Sequence, residues 1–459
     1  MTRKRVVGIT VLPEYIQTEG VEGVLDSLAR AGATAVSTSP YVMEPADEKT
    51  GSREPPGDSD KGIVRLLDRP LWGKREIFVR TEPSFVPDLS IYEGLRYQPP
   101  EPGPLTHAEG AIVADFIKAA KTKGLKVYFQ VMSAVPPGYR VQFGGPEEDD
   151  IPRLPGGVLP TRRIDNNGSL ASSHIVDYGC AMLRDLCRAY PDIDGFRVDW
   201  PEYPPYTPDG VFLDFGAHAR KAAQRMGLDF ARMEGDVGGL RSTLLGGLND
   251  KMLEDNGALR ELAARPGVTD WLQFKTMLAE ELLVAYRAAI DTDKELIAMA
   301  FPPPWSLLSG IPYRKLDGVC SSVQTKLYTM HWPTMLRFYG DAILEANPGL
   351  SSEKLLRFIL RLLDIADDAG LPNYEDYAYP GPDEAHPCGV EAQARKIRQA
   401  QTEAGSVPVV AAAHSYGPLD DVRARLRAAW EGSSAGVWVN RYCYIADEKL
   451  DIIREETAQ

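Results

Sequence analysis

Cysteine is scarce in this chain. It has five cysteines among 459 residues, an odd number with no C-x-x-C spacing, so stability is not expected to come from a disulfide framework. Histidine is nearly as rare. The six (His107, His174, His218, His331, His386 and His414) show no H-x-H or H-E-x-x-H spacing, so no metal site is expected. Long apolar runs are missing as well. The first, Val6 to Leu12, stops at Pro13-Glu14, too short to span a bilayer and a poor signal peptide. Positive charge is in deficit: 51 Lys+Arg against 65 Asp+Glu leave a formal charge of −14, with no Lys/Arg block. That argues against nucleic acid and anionic membrane as partners. No G-x-S-x-G or Walker-type loop occurs, and Val11-Leu-Pro-Glu-Tyr15 after the first apolar run has no glycine. A serine-hydrolase elbow and a dinucleotide-binding doubly wound sheet are therefore disfavoured. A cytoplasmic protein without cofactor is expected, and a homo-oligomer is compatible with the composition.

Short β-rich runs alternating with helix-period runs are what the chain does contain. The β-rich runs are Val6–Val11, Ala33–Ser39, Lys126–Met132, Gly195–Trp200, Glu295–Phe301, Val323–Met330, Val407–His414 and Gly436–Tyr442. Helices are predicted over Val21–Ala31, His107–Lys123, Ser172–Tyr190, Trp271–Ile290, Ser352–Ala369, Leu419–Glu431 and Ala446–Glu455, with a polar helical insert over Met226–Ala264. Eight strands alternating with helices give an α/β fold, a (β/α)8 TIM barrel. A plain barrel needs about 250 residues, so much of the chain is surplus. Helix-to-strand connections are short, such as Ala31-Gly32 and Gly405-Ser406. The surplus falls in strand-to-helix connections, at about 40–105, 133–170, 201–270 and 333–404, after strands two, three, four and six. Insertions on one end of a barrel mark its C-terminal face, where such folds keep their sites. One barrel domain over 1–459 is expected, the second connection forming a flap or small subdomain.

Chemistry concentrates in Asp192-Ile-Asp-Gly-Phe-Arg-Val-Asp-Trp-Pro-Glu-Tyr-Pro-Pro-Tyr206. Alternation along the fourth strand puts Phe196 and Val198 on one face and Arg197 and Asp199 on the other. Two inward charges near a strand end are costly unless paired at the mouth, so Arg197 is expected to hold Asp199 ionised and oriented. Trp200, Glu202 and Tyr203 follow in the adjoining loop. On the sixth strand the alternation groups Gln324, Lys326, Tyr328 and Met330, and a Lys mid-strand must meet a carboxylate or the mouth. His331-Trp332 at the rim, His414 closing strand seven, Asn440-Arg441 closing strand eight, and Glu14 after strand one complete the candidate lining, with Gln130 and Thr10 as neutral donors. Such a mixture suits a hydroxyl-rich ligand.

Asp194-Gly-Phe-Arg-Val-Asp199 resembles the fourth-strand motif of α-amylase-type glycoside hydrolases, in which the last Asp is the nucleophile. The longer Asp194–Pro204 segment is also similar to the chitinase-type signature, in which aspartates on that strand precede a catalytic Glu. The resemblance covers some 30 residues together with the barrel pattern. It implies a glycosidase acting on a carbohydrate, with Asp199 as central carboxylate. Leu296-Ile-Ala-Met-Ala-Phe301 carries no acid, and the seventh run ends His414-Ser415 where the amylase-type pattern has His-Asp. The second carboxylate is therefore sought nearby, in Glu202 as acid/base, with Glu14, Asp270, Glu375 and Asp376 as further candidates. Arg197, Trp200, Tyr203, Lys326, Tyr328, His331, Trp332, His414, Asn440 and Glu14 are the expected substrate-binding residues. Two alternatives use the same barrel: a sugar isomerase, epimerase or lyase working through Lys326 and His331, and a carbohydrate-binding barrel without catalysis.

Overall fold

The computed structural model describes residues 4–57, 65–366 and 371–458. The end of the predicted helix Ser352–Ala369 and part of the flap up to Lys61 lie outside the described residues. Eight parallel strands close into a barrel in chain order: β1 (Val6–Thr10), β2 (Ala35–Thr38), β3 (Lys126–Met132), β4 (Gly195–Asp199), β5 (Glu295–Ala300), β6 (Ser322–Leu327), β7 (Val409–His414) and β8 (Gly436–Asn440). The expected (β/α)8 barrel is present. Each predicted run overlaps its strand, Lys126–Met132 matching at both ends and the other ends differing by at most three residues. Strand β6 stops at Leu327, which leaves Tyr328 just above the barrel. Among the described residues, no helix is long and apolar enough to cross a membrane.

The helices differ from the expected ones where glycine and proline intervene. The first spans Pro13–Arg30, with non-helical backbone at Gly20. Its N-terminal half escapes the sequence pattern because Pro13 reads as a break, although proline fits the first helical turn. The predicted His107–Lys123 helix divides at Gly110 into Pro104–Glu109 and Ala111–Thr122. The polar insert is three helices, Phe230–Leu244, Asp250–Glu254 and Gly257–Ala263. The helix His331–Ala346 is a further addition, and it starts with His331 and Trp332, the two residues expected at the rim. The second connection folds into a small antiparallel sheet of Tyr41–Ala46, Ile77–Pro83 and Ser52–Glu54.

Inside the barrel the inward side chains fall into layers. Ala35, Tyr128, Ile297, Val410 and Trp438 form an apolar layer of their own toward the N-terminal end. Gly8 lets Trp438 lie against β1: a Cβ there would come within 2.3 Å of the indole. Above Trp438 lies a polar layer. The Arg197 guanidinium sits 4.0 Å from the Trp438 ring centre and donates to Gln324 Oε1, to Thr10 and Ser37 hydroxyls, and to Gln130 Oε1. Asp199, two residues further along β4, occupies the next level, at the mouth. The pleat therefore explains why this strand carries both a core cation and a mouth carboxylate.

Candidate functional site

The mouth of the barrel opens into a cavity of about 400 Å³. Its wall is built from strand ends and from the long connections. Asp199 and Trp200 come from the end of β4, Tyr328 and His331 follow β6, His414 ends β7, and Asn440 ends β8. The connection after β3 adds Tyr139 and Arg140, and the flap after β2 adds Arg65. A larger cavity, about 550 Å³, lies at the opposite end of the barrel. Its Lys126 and Glu295 are paired with each other, and Arg5 is bonded to the carbonyls of Trp430 and Ser433. That end of such a fold serves stability rather than chemistry.

Asp199 is the one acid among the described residues lining the mouth cavity, and its side chain is 14% exposed. One ion pair and two hydrogen bonds fix it. Lys326 Nζ lies 2.8 Å from Oδ1, the Trp200 amide donates to Oδ1 at 3.0 Å, and Gln130 Nε2 donates to Oδ2 at 3.2 Å. Trp200 holds a left-handed backbone, φ 53°, costly for a bulky residue and met chiefly at constrained sites. Its carbonyl is tied down by Asn167 Nδ2 at 3.0 Å and by the Ser133 hydroxyl. The expected Arg197–Asp199 pair does not form. Arg197 lies one layer deeper among neutral acceptors, where burial lowers its pKa to about 9, and Lys326 of β6 is the cation that meets Asp199. The alternation is sound, but sequence does not tell which inward cation shares the mouth level.

Glu202 lies beneath the site rather than on its rim. It is fully buried and accepts from the Phe301 amide at 2.9 Å and from the Ser309 hydroxyl. Lys326 Nζ stands 3.9 Å from its Oε1, so one ammonium serves both carboxyl groups. Burial pushes the Glu202 pKa up to about 7, against the opposing pull of Lys326 and its hydrogen bonds.

The other expected residues divide between wall and interior. Tyr328, His331, His414, Trp200 and Asn440 line the cavity. His414 Nδ1 accepts from the Tyr416 amide at 3.1 Å, which places the proton of the neutral ring on Nε2. Burial, with positive charge from Arg65 and Arg441, keeps both His331 and His414 well below the ordinary imidazole range. Tyr203, Trp332 and Glu14 do not reach the cavity. The Tyr203 hydroxyl sits 3.2 Å from Asp214 Oδ2 and 3.1 Å from the Leu170 amide, and Trp332 packs against Trp305. Glu14 is buried in a cluster with Arg140, 3.0 Å away, which also meets Glu54 at 2.8 Å; burial pushes the Glu14 pKa up to about 7. The remaining candidate acids lie elsewhere: Asp270 pairs with Arg232, and Glu375 and Asp376 belong to a single turn at 374–376. Sequence reasoning misses Arg65, Tyr139, Arg140 and Tyr379, and assigns no role to Tyr206 at the end of the fourth-strand segment; all five also line the cavity. All stand on long connections without periodicity, and only their aromatic and cationic character could flag them.

No family model matches the chain, and neither does any curated protein. Solved structures do. A β-galactosidase from the psychrophilic Marinomonas ef1 aligns over 99% of this chain and 58% of its own, at 12% identity and a TM-score of 0.50. The catalytic domain of β-amylase from Paenibacillus polymyxa aligns over 97% of this chain and 94% of its own, at 11% identity and a TM-score of 0.48. The PgaB (BpsB) glycoside hydrolase domain from Bordetella bronchiseptica aligns over 91% and 95%, at 15% identity and a TM-score of 0.39. The chain thus spans less than two thirds of the galactosidase it matches. At such identity the likeness is one of fold: a glycoside hydrolase-like (β/α)8 barrel.

Proposed function

We propose that this barrel cleaves a glycosidic bond, with Asp199 as the carboxylate that faces the sugar. The observation that carries the proposal is the setting of Asp199. It is the cavity's own carboxylate, held by one ion pair and two hydrogen bonds at the C-terminal mouth and walled by Trp200, Tyr206, Tyr328 and His331. Aromatic faces suit the apolar faces of a sugar ring, and a fixed, ionised carboxylate suits a positively charged, oxocarbenium-like transition state. Glu202 is the second carboxyl group. It is sealed from the cavity and acts through the shared Lys326, as a positioning residue. While Glu202 is protonated, Lys326 is left to Asp199; when it ionises, the two carboxylates compete for one ammonium. Tyr328 presents a hydroxyl without a hydrogen-bond partner, and we assign it the proton that the leaving oxygen takes; water supplies the new oxygen on the anomeric carbon, and the proton it loses returns to the tyrosine.

Asp199→Asn tests the assignment. Turnover of a panel of 4-nitrophenyl glycosides should fall about 10²–10³-fold, the usual worth of one group that stabilises charge in the transition state, in a protein of unchanged circular dichroism. Unchanged turnover would refute it. A second proposal has its own support: one carboxylate, two neutral imidazoles and four phenols line the cavity among the described residues, a set able to move protons on a sugar carbonyl. An isomerase, epimerase or lyase would convert free aldoses or release unsaturated products without hydrolysing any glycoside, which sugar analysis by chromatography separates.

A further inference from the structure

Asp199 is matched by Lys326, and Arg140 by Glu14 and Glu54. Arg441 differs. It follows β8 and lines the cavity, forms no side-chain hydrogen bond or ion pair among the described residues, and its Nη1 is buried without a partner. Two further buried polar atoms on the same wall are equally unpartnered, the Tyr328 hydroxyl and Asn440 Oδ1. Leaving such groups unsatisfied costs free energy, so water or a ligand completes the cluster, and a ligand that matches all three atoms is favoured there. Such a ligand accepts from a guanidinium and a phenol and donates to a carboxamide oxygen. Arg65 stands on the same side, with its guanidinium 5.7 Å from the Tyr444 ring and 6.0 Å from that of Tyr379. The cavity's own negative charge, Asp199, is already engaged by Lys326.

We propose that the sugar bound in the mouth is acidic, its anionic group held by Arg441 and a neighbouring hydroxyl donating to Asn440, while the Tyr328 hydroxyl meets the glycosidic oxygen. A planar carboxylate, as in a uronic acid, fits the fork of a guanidinium through two parallel bonds. A phosphate or sulfate ester shares that chemistry and is separated from it by experiment. This assignment rests on the carbohydrate function proposed above and deepens it: the negative group supplies specificity while Asp199 supplies chemistry.

Binding and turnover, measured in parallel on the full chain, test it. Calorimetric titration would compare methyl glucuronides and galacturonides with the matching methyl glucosides and galactosides, and with glucose 6-phosphate. The acidic sugars should bind at least about tenfold more tightly than their neutral partners, and Arg441→Gln should remove that preference, a loss of about 10–100-fold typical of a charge-assisted hydrogen bond. Arg441→Lys should restore part of it, and added salt should weaken acidic binding alone. Uronides ahead of the phosphate ester point to a carboxylate; the reverse order points to an ester. Equal binding of acidic and neutral sugars, an acidic preference that survives in Arg441→Gln, or no binding at all would overturn the proposal. If acidic sugars bind selectively while no glycoside is hydrolysed, the hydrolase function falls and the anion site stands. If hydrolysis is confined to neutral glycosides, the anion site falls and the hydrolase function stands.

Discussion

Glu202 is a carboxyl group that folding should make harder to ionise, and the consequence for stability has a definite sign. Burial raises its pKa from an ordinary 4.5 to about 7. Between those values the folded protein holds a proton that the unfolded chain has released, so stability falls as pH rises through the window. Each pKa unit is worth about 1.4 kcal/mol, which makes the whole loss about 3 kcal/mol, complete above pH 7. Glu202→Gln removes the titration while keeping a neutral side chain of the same shape, able to accept from the Phe301 amide. Urea unfolding of both proteins from pH 4.5 to 8 measures the difference. Relative to the parent, the variant should gain up to about 3 kcal/mol across this range. Glu14, also pushed up by burial to about 7, titrates in the same window but is common to both proteins and cancels. A difference that stays constant with pH would refute the claim that Glu202 is protonated in the folded state near neutrality.

Other perturbations follow from the same geometry. Lys326→Met strands two carboxyl groups around a buried apolar side chain and should cost about 3–5 kcal/mol at pH 8, less at pH 5 where Glu202 carries its proton; denaturation at the two pH values reads this. In any assay of turnover, the pH profile of the parent should bend near 7 and that of Glu202→Gln should not, because only the former changes the charge that Lys326 balances. Gly8→Ala pushes a methyl group into the Trp438 ring and should destabilise by about 1–3 kcal/mol, measured as a lowered urea midpoint.

The barrel can be read from the chain because its signals are local and repeated. Runs such as Lys126–Met132 and Glu295–Phe301 carry strand composition, and surplus length collects on one end whatever the loops contain. Asp199 is visible for the same reason, since alternation sends it inward at a strand end. Pairing is less legible. Arg197 and Lys326 both point into the barrel, and only the stagger between β4 and β6 decides that the lysine reaches the mouth level while the arginine is held in the layer below by Gln324, Thr10 and Ser37. Glu202 is misplaced by sequence reasoning because nothing in Trp200-Pro-Glu-Tyr203 shows that the loop turns back under Phe301 and Ser309. Arg140 escapes notice in an aperiodic loop, where partners such as Glu14 and Glu54 are far away in sequence.

A crystal structure of the Asp199→Asn variant soaked with a substrate glycoside tests the central claim most directly. The sugar should lie in the mouth cavity between Trp200 and Tyr328, with its anomeric carbon about 3–3.5 Å from the side chain of residue 199, the distance of a near-attack arrangement. A glycoside bound elsewhere, or bound in the cavity with its anomeric carbon turned away from residue 199, would contradict it.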